Sequence, residues 1–360
     1  MVQRIVIFAE DSGAANAARA INAILASDCY VVENWITGAA ERSFFHAGLD
    51  FCSPPKDGLS GLSSEELPDL IIVGTSENPN SEGLKIIDQA EKLGIFTLGV
   101  VDQAMNVESR FKGNDDDPLR YFPTKVLVPD KYTRDGFLKL GVGVEKLVVT
   151  GYTTSLLVNA WLSEASEGLD PTSAVSGRLE VIFVAEGYDR VNPINSMKNE
   201  KFTLHGESGS SFRSVIVMEE LRRAVRSCDA NIKLSLRLHP NSRYKDFEPA
   251  IRHFDLIAQE KHPYESILTA DLVVGMTSML LFEAHLLGLP TLSILPLGRE
   301  REWMPNTATG VTPVVSTREE LSEFLGRELV PRGRLDKRVS DDSATEVSEI
   351  IRDTVAAILK

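Results

Sequence analysis

Short apolar runs alternate with amphipathic stretches through the first half of the chain. The run Asp69–Gly74 reads DLIIVG and is apolar on both faces after its first residue, which is typical of a strand inside a parallel sheet. The stretch Glu82–Leu93 instead has apolar side chains at helical spacing and is closed by Gly94. This alternation predicts a doubly wound, mostly parallel α/β sheet. The predicted strands are Ile5–Ala9, Tyr30–Thr37, Asp69–Gly74, Ile95–Val101, Lys125–Pro129 and Leu147–Gly151.

The same alternation starts again after residue 178. Residues 166–178 are rich in serine, glycine and acidic side chains, a composition that indicates a linker. The sequence therefore predicts an N-terminal Rossmann-like domain over 1–165, the linker 166–178 and a C-terminal Rossmann-like domain over 179–341. An amphipathic helix over 342–360 is expected to pack back on the first domain. In the second half, the predicted strands are Leu179–Ala185, Ile232–Leu238, Leu272–Gly275 and Thr291–Leu295, and the predicted helices are Ser214–Cys228 and Leu280–Leu287.

The composition excludes several classes of protein. Of the 360 residues, 43% are hydrophobic and 25% are charged, which is ordinary for a globular protein and excludes a disordered chain. The 38 lysines and arginines against 52 aspartates and glutamates give a net charge of −14. A general nucleic-acid partner is therefore not expected, nor is adhesion to an anionic membrane through overall charge.

Cysteine usage and the absence of long apolar runs bear on location. Cys29, Cys52 and Cys228 form no CxxC pair and no metal-ligand spacing, and so sparse a set suits a reducing compartment. No apolar run reaches the roughly 18 residues that a membrane helix needs. The first residues run directly into a strand without the apolar core of a signal peptide. A cytoplasmic protein without a transmembrane segment is expected.

The stretch Thr269–Leu295 carries the most informative pattern. A strand ends in a glycine that permits close backbone approach, and a helix begins after two hydroxyl residues. Unpaired amides at such a helix start bind phosphate, and an acidic residue further along the helix lies within reach of a ribose. The alternative is an ordinary strand–helix–strand crossover with a hydroxyl cap. The candidate nucleotide and phosphate ligands are Gly275, Thr277, Ser278, Met279 and Glu283.

This stretch resembles the nucleotide-diphosphate site of GT-B-fold enzymes. The shared pattern is a strand, G-x-[ST]-S, a helix with an acidic residue, and then G-x-P before the next strand. It is most similar to sugar-nucleotide 2-epimerases and to capsule and teichoic-acid polymer transferases. The R-x-H-P run that begins at Arg237 and the segment Ile257–Asp271, which resembles the part that holds the base, support the same resemblance. It implies a GT-B-like α/β fold of two Rossmann-like, doubly wound parallel-sheet domains that face a cleft.

Three side chains at predicted strand ends of the second half are candidates for chemistry. His239 could stabilise a departing phosphate as a cation or act as a general acid, and a packed or capping histidine is the alternative. Arg237 could counter phosphate charge or form a surface salt bridge. Glu186 is a candidate base, with a plain loop acid as the alternative. The run Val184–Gly187 resembles the acidic-acidic-glycine motif of some bacterial sialyltransferases, although Ala185 stands where the first acid belongs.

Polar loops also follow the predicted strands of the first half. Asp11 could act as a base, although capping of the following helix is the simpler account. Gly13 and the alanines after it permit close approach of a ligand. Ser76 lies in the next strand-end loop, and Asp102 ends another strand in the same way. Because ligands bind at the carboxyl ends of strands in open α/β sheets, these side chains are expected at one cleft.

Three loops carry further expectations. In the charged loop Arg299–Pro305, Arg299 is a candidate contact to sugar or phosphate, although the Thr-Glu-Arg-Pro-Glu type run of the epimerases is absent and a plain surface loop is the alternative. Residues 190–212 lack periodicity and predict a flexible flap near the cleft, or a mobile insertion without function. Asn114–Asp117 is interpreted as a solvated turn, and no histidine pair has zinc spacing, so no metal is predicted.

These patterns predict a metal-independent glycosyltransferase that transfers a sugar, or a related group, from a nucleotide-activated donor to a glycan or small-molecule acceptor in surface polysaccharide or glycan biosynthesis. The alternatives are a sugar-nucleotide epimerase or hydrolase of the same fold, or a non-catalytic protein that binds a nucleotide sugar. No cofactor is expected beyond the nucleotide-sugar substrate, and a homo-oligomer is left open. The catalytic candidates are Glu186, His239 and Asp11, and the acceptor-side candidates are Gly13, Ser76 and Arg299.

Overall fold

Parallel pairing between apolar strands organises both halves of the chain. The computed structural model describes residues 2–26, 28–104, 106–165, 178–187, 197–228, 231–239, 242–258, 262–303, 310–329 and 342–360. The chain divides into unit 1, which comprises Met1–Glu164 and Ser340–Lys360, and unit 2, which comprises Ala165–Val339. Of the linker predicted over 166–178, all but the last residue lies outside the described part.

Unit 1 is built on a six-stranded sheet in the order β2-β1-β3-β4-β5-β6, with every neighbouring pair parallel. The strand order reverses direction at β1, so the carboxyl ends of β1 and β3 flank the topological switch point. The strands are β1 Arg4–Ala9, β2 Val31–Ile36, β3 Leu70–Gly74, β4 Phe96–Val100, β5 Lys125–Val128 and β6 Leu147–Val149. The helices are α1 Ser12–Leu25, α2 Ala39–His46, α3 Glu82–Leu93, α4 Lys131–Lys139 and α5 Thr154–Ala165.

Side chains of β1 alternate between two apolar layers, one on each face of the unit 1 sheet. Ile5 and Ile7 pack in a cluster with α1, whereas Val6 and Phe8 pack in a second cluster that also contains Phe111. All of β3 is buried because both faces of the sheet are covered. This double burial explains why the strand signals of the first half are continuous apolar runs rather than alternating ones.

The last helix, α10 (Asp342–Ile358), belongs to unit 1 although it follows unit 2 in the chain. Its residues Val347, Ile351 and Val355 recur at four-residue spacing and are buried in the cluster that contains α1. The Arg352 guanidinium lies 3.4 Å from the Asp28 carboxylate, and the Gln3 side-chain amide donates to the Leu359 carbonyl at 2.7 Å. The two ends of the chain therefore meet in one unit.

Unit 2 repeats the architecture with its own six-stranded parallel sheet, in the order β12-β11-β10-β7-β8-β9. The strand order reverses direction at β7, so the carboxyl ends of β7 and β10 flank the switch point. The strands are β7 Leu179–Val184, β8 Ile232–Arg237, β9 Leu256–Ala258, β10 Leu272–Gly275, β11 Thr291–Ile294 and β12 Val314–Val315. The helices are α6 Arg213–Arg226, α7 Pro263–Ile267, α8 Met279–Leu286 and α9 Arg318–Glu328.

The predicted fold class of two doubly wound, parallel α/β domains is confirmed. Both sheets are fully parallel, and α-helices connect successive strands such as β1–β2 and β3–β4 in unit 1 and β7–β8 and β10–β11 in unit 2. In the part of the chain that the structure covers, no helix combines the length and the apolar character needed to cross a bilayer.

The segment predicted as a flexible flap is anchored where the structure describes it. Residues 188–196 lie outside the described part, but residues 197–212 pack along α6. The buried carboxylate of Glu220 accepts from the amide of Gly206 at 2.8 Å, and that of Glu219 accepts from the amide of Glu207 at 2.7 Å. Leu204 is fully buried. The lack of periodicity is a poor guide to mobility here, because helix carboxylates bind one part of this backbone and an antiparallel bridge between Met197 and Phe212 holds another.

The packing of α10 on unit 1 predicts a large difference between two adjacent isoleucines. Ile351 is fully buried, whereas Ile350 is half-buried on the same helix. Ile351→Ala is expected to lower the free energy of unfolding by about 2–4 kcal/mol because it leaves a cavity against α1, and Ile350→Ala by about 1 kcal/mol or less. Urea unfolding of both variants measures the difference, and equal losses would contradict the packing described.

Candidate functional site

The sheet register in unit 2 brings most of the predicted site residues to one edge. Val184 pairs with Arg237, and Phe183 pairs with Val274, so β7, β8 and β10 end at the same level. Residues that follow these strands therefore lie together at the carboxyl edge, around the switch point between β7 and β10. They include Glu186, His239, Thr277 and Ser278, which the sequence singled out from separate segments.

The Glu186 carboxylate bridges the switch point. It accepts from the backbone amide of Thr277 and, at 3.0 Å, from the Thr277 hydroxyl. The Arg213 guanidinium lies 3.0 Å away, also on this carboxylate. Glu186 is only 8% exposed, so it is a buried ion-pair partner in this structure. The alternative of a plain surface loop acid is thus wrong, while the predicted role of Glu186 as a base stays a prediction.

Arg213 is the centre of this arrangement and was not predicted. It begins α6, is fully buried, and also pairs through Nε with Glu300, whose side chain is fully buried as well. Burial raises the pKa of Glu300, and the Arg213 charge opposes that shift. A cation in the first turn of a helix is unfavourable because it opposes the helix dipole. The position of Arg213 there is the one sequence signal that points to an acidic partner.

Several residues of the loop after β10 that were predicted to bind phosphate already have contacts within the chain. The Ser278 hydroxyl caps α8 by accepting from the Leu280 amide at 3.2 Å, which is the alternative left open by the sequence. A Cβ on Gly275 would lie 2.9 Å from Val184 Cγ2, so this glycine is needed for packing within the sheet. Met279 is the first residue of α8 and is half-buried, and Glu283 is buried further along the helix.

His239 and Arg237 extend the polar edge on either side of β8. The His239 ring packs on Gly187, where an added Cβ would lie 2.9 Å from Nδ1. Burial lowers the pKa of His239, and the nearby charge of Glu186 only partly offsets this. The lowered pKa favours the neutral ring, and the packed histidine that the sequence left open as an alternative is what the structure shows. A role of His239 as a cation or as a general acid stays a prediction. Arg237 donates to the Ser266 hydroxyl at 2.9 Å and so points toward α7.

The carboxyl edge of the unit 1 sheet gathers a second polar cluster. Asp11 caps α1 by accepting from the Ala14 amide at 2.8 Å, and Ser76 also donates to its carboxyl. A Cβ on Gly13 would overlap Asp102 Oδ2, so this glycine makes room for a carboxylate of the chain itself. The predicted residues Asp11, Gly13 and Ser76 thus lie together, with Asp102 from the end of β4 beside them.

Arg110 holds this cluster and was not predicted. Its guanidinium is buried, lies 3.1 Å from Asp102 Oδ1 and donates to the Thr75 hydroxyl at 3.4 Å. Burial, and then the charge of Asp102, raise the pKa of Asp11 to about 6. Asp11 and Asp102 thus form a carboxyl pair in which the pKa of Asp11 lies near 6.

A tyrosine extends the unit 1 cluster. The Tyr152 hydroxyl donates to Asp130 Oδ2 at 2.6 Å. Burial raises the pKa of Tyr152, and the charges of Asp130 and then Asp102 raise it further. Asp130 also caps α4, since it accepts from the Thr133 amide at 2.8 Å. Tyr152 is therefore a fixed, neutral hydrogen-bonding group within the electrostatic reach of Asp102.

Three further predicted features remain: the charged loop that begins at Arg299, the turn Asn114–Asp117, and the expectation that no metal is bound. The side chain of Arg299 lies outside the described part, as does that of Trp303. Asp115 and Asp117 accept from amides of their own turn at 3.0 and 2.9 Å. Within the described ranges, no group of three histidine, cysteine, aspartate or glutamate side chains is placed to hold a metal ion.

Comparison with known proteins identifies the fold. No protein-family model and no curated protein matches the sequence. A UDP-GlcNAc 2-epimerase of Methanocaldococcus jannaschii, in complex with UDP-GlcNAc and UDP, matches with a TM-score of 0.64 at 14% identity, over 99% of this chain and 100% of that one. The Neisseria meningitidis UDP-GlcNAc 2-epimerase bound to UDP-GlcNAc gives 0.62 at 14% identity, over 99% and 100% of the two chains.

A third structure broadens the comparison. Anabaena HepE in complex with UDP and glucose matches with a TM-score of 0.56 at 12% identity, over 99% of both chains. Identities this low show the fold alone. The protein has the GT-B-like fold of UDP-GlcNAc 2-epimerases, as the resemblance implied, whereas its closeness to capsule and teichoic-acid transferases stays a prediction.

The buried position of Arg213 predicts a large stability loss when its charge is removed. Arg213→Met leaves the carboxylates of Glu186 and Glu300 buried without their counter-ion, which is expected to lower the free energy of unfolding by about 3–5 kcal/mol. Arg223→Met, on the exposed face of the same helix, is the matched control. Urea unfolding measures both, and losses within about 1 kcal/mol of each other would contradict the network.

The Asp11 carboxyl predicts a pH-dependent stability. Its pKa rises from 3.8 to about 6 on folding, so the folded state binds the proton more tightly and loses stability as pH rises between these values. Asp11→Asn removes this loss and keeps a helix cap. The stability of the variant relative to wild type is expected to increase by up to about 3 kcal/mol between pH 4 and 7. Urea unfolding measures it, and Asp116→Asn, at an exposed carboxylate, is expected to show no such trend.

Proposed function

We propose that this protein is an enzyme that acts on a nucleoside-diphosphate sugar, and that it inverts one carbon of that sugar. The observation that carries this proposal is the full-length match of the fold to UDP-GlcNAc 2-epimerases, one of them in complex with UDP-GlcNAc and UDP. A UDP-sugar with an N-acetylhexosamine group is therefore the first substrate to test. This is the alternative that the sequence left open beside sugar transfer.

The polar edge of unit 2 supports binding of the nucleotide. Phosphate groups are bound in proteins by backbone amides at a strand-to-helix junction and by neutral or positive nitrogen donors. Thr277 to Met279 supply such a junction, and His239 and Arg237 lie at the end of the neighbouring strand β8. In this proposal the diphosphate binds at that junction, and Glu283 on α8 serves the ribose.

The carboxyl pair of unit 1 supports acid–base chemistry. Inversion of a carbon that bears hydrogen requires one group that removes a proton and another that returns a proton on the opposite face. Two carboxyl groups in different surroundings can divide these roles. Asp102 is ion-paired with Arg110, whereas burial raises the pKa of Asp11 to about 6. We assign the acid–base step to this pair, with the Tyr152 hydroxyl held nearby by Asp130.

Sugar transfer is the second candidate, and one sequence feature favours it. The R-x-H-P run at the end of β8 resembles that of polymer transferases, and the Thr-Glu-Arg-Pro-Glu type run of the epimerases is absent. A transferase would use the same nucleotide junction on unit 2 and would need an acceptor. Its products differ from those of an epimerase, so one assay separates the two.

The test is incubation of the full chain with UDP-N-acetylglucosamine in deuterated water, with and without oligosaccharide acceptors. Epimerisation is expected to place solvent deuterium at one sugar carbon and to leave the sugar nucleotide intact. Release of UDP and free sugar would indicate hydrolysis, and release of UDP only with an acceptor would indicate transfer. If UDP-N-acetylglucosamine and a panel of other nucleotide sugars all fail to bind in a thermal-shift screen, the proposal is wrong.

Substitutions in unit 1 are expected to lower turnover, whereas substitutions in unit 2 are expected to weaken the binding of UDP. Asp11→Asn and Asp102→Asn are expected to lower kcat by about 100-fold or more and to change the Kd for UDP by less than about threefold, because they remove proton-transfer groups. His239→Ala and Ser278→Ala are expected to weaken UDP binding by about tenfold. Asp116→Asn is the control for both measurements. A large loss of UDP affinity in the aspartate variants would contradict this division.

A further inference from the structure

The junction proposed to bind the nucleotide is occupied by the chain's own carboxylate. The amide and hydroxyl of Thr277 both donate to Glu186, and the Arg213 guanidinium lies on the same carboxylate. A backbone amide, a hydroxyl and a guanidinium form the kind of donor set that binds a phosphate group. A carboxylate is the side chain that imitates a phosphate most closely in charge and in acceptor geometry.

We propose that Glu186 is an internal ligand of the phosphate position at Thr277, and that a nucleotide diphosphate binds by displacing it. This inference rests on the proposed function for the identity of the ligand and adds how access to the site is regulated. It replaces the expectation that Glu186 acts as a base. A glutamate has three rotatable side-chain bonds, so the carboxylate can leave Thr277 by rotation of the side chain.

The charges around Arg213 favour such an exchange. One buried guanidinium faces two buried carboxylates, those of Glu186 and Glu300. While Glu186 is bound to Thr277, the site therefore carries excess negative charge, which repels a phosphate. When Glu186 leaves, Arg213 remains paired with Glu300 through Nε, and the guanidinium nitrogen and Thr277 donors that faced Glu186 then face the incoming anion. The incoming anion thus takes over contacts that already exist, and no new cation is required.

An internal ligand lowers the affinity for the external one. If the carboxylate occupies the position in about nine molecules of ten, the apparent Kd of the nucleotide is raised about tenfold over its intrinsic value. Removing the charge of Glu186 is therefore expected to tighten binding. A base, or a residue that simply contacts the nucleotide, would show no such gain, so the sign of the effect distinguishes the roles.

The experiment compares Glu186→Gln with two buried-carboxylate controls by calorimetric titration with UDP and, separately, with inorganic pyrophosphate. Glu186→Gln is expected to bind both about tenfold or more tightly than wild type. Glu300→Gln removes an equal charge from Arg213 but leaves Thr277 occupied, and a gain below about threefold is expected. Glu219→Gln, on the same helix as Arg213 but away from Thr277, is expected to match wild type.

Two outcomes would overturn the inference. Unchanged or weaker binding by Glu186→Gln would show that the carboxylate does not compete with phosphate. An equal gain in Glu300→Gln would show that charge alone, and not occupancy of Thr277, limits binding. If Glu186→Gln fails to fold by circular dichroism, a crystal structure of wild type with UDP or pyrophosphate decides. A phosphate oxygen within about 3 Å of the Thr277 amide, with Glu186 displaced, supports the inference, and Glu186 still in place overturns it.

The two ligands separate this inference from the proposed function. Tighter pyrophosphate binding by Glu186→Gln in a protein that binds no nucleotide sugar would support the internal ligand and contradict the proposed function. UDP binding and epimerisation by wild type, with no gain in Glu186→Gln, would support the proposed function and contradict the internal ligand.

Discussion

Parallel pairing between neighbouring strands decides where the polar side chains of both units lie. In each unit it fixes the level at which the strands end, and it therefore decides which residues of separate segments meet at the carboxyl edge. Glu186 and Thr277 meet because β7 and β10 are neighbours, although 91 residues separate them in the chain. Asp11 and Ser76 meet at the corresponding edge because β1 and β3 are neighbours. Position in the sheet order, not proximity in sequence, assembles both clusters.

Both clusters are organised around a buried arginine with acidic partners. Arg110 and Arg213 are each almost inaccessible to solvent, and each holds a carboxylate that follows a strand of the sheet. A buried guanidinium is costly unless its partners are fixed, so each arginine restricts the positions that its carboxylates can take. This restriction gives unit 1 a carboxyl pair with unequal surroundings and gives unit 2 an anion position that is filled by the chain itself.

The sequence was sufficient for the strands that are buried on both faces, because a short run that is apolar at every position and bounded by polar turns is typical of such strands. It did not reveal β9 and β12, which have three and two residues and are not buried along their whole length. The capping roles of Asp11 and Ser278 could be predicted from residue type, because a cap is a contact between residues that are close in sequence. The sequence could not predict the roles of Arg110, Arg213 and Glu300, because their ion-pair partners lie in other segments of the chain and are brought near only by the fold. The lowered pKa of His239 could likewise not be predicted, since burial is a property of the folded chain.

The return of the chain to unit 1 has a consequence for biosynthesis. A polypeptide emerges from the ribosome from its first residue onward, and domains generally fold as they emerge. Here Ile21 and Leu25 of α1 appear early, but the helix that covers them, with Ile351 and Val355, is translated only after the whole of unit 2. The apolar surface of α1 in unit 1 therefore stays uncovered while the whole of unit 2 is synthesised. A premature stop shortly before residue 342 would leave this apolar surface of α1 uncovered permanently.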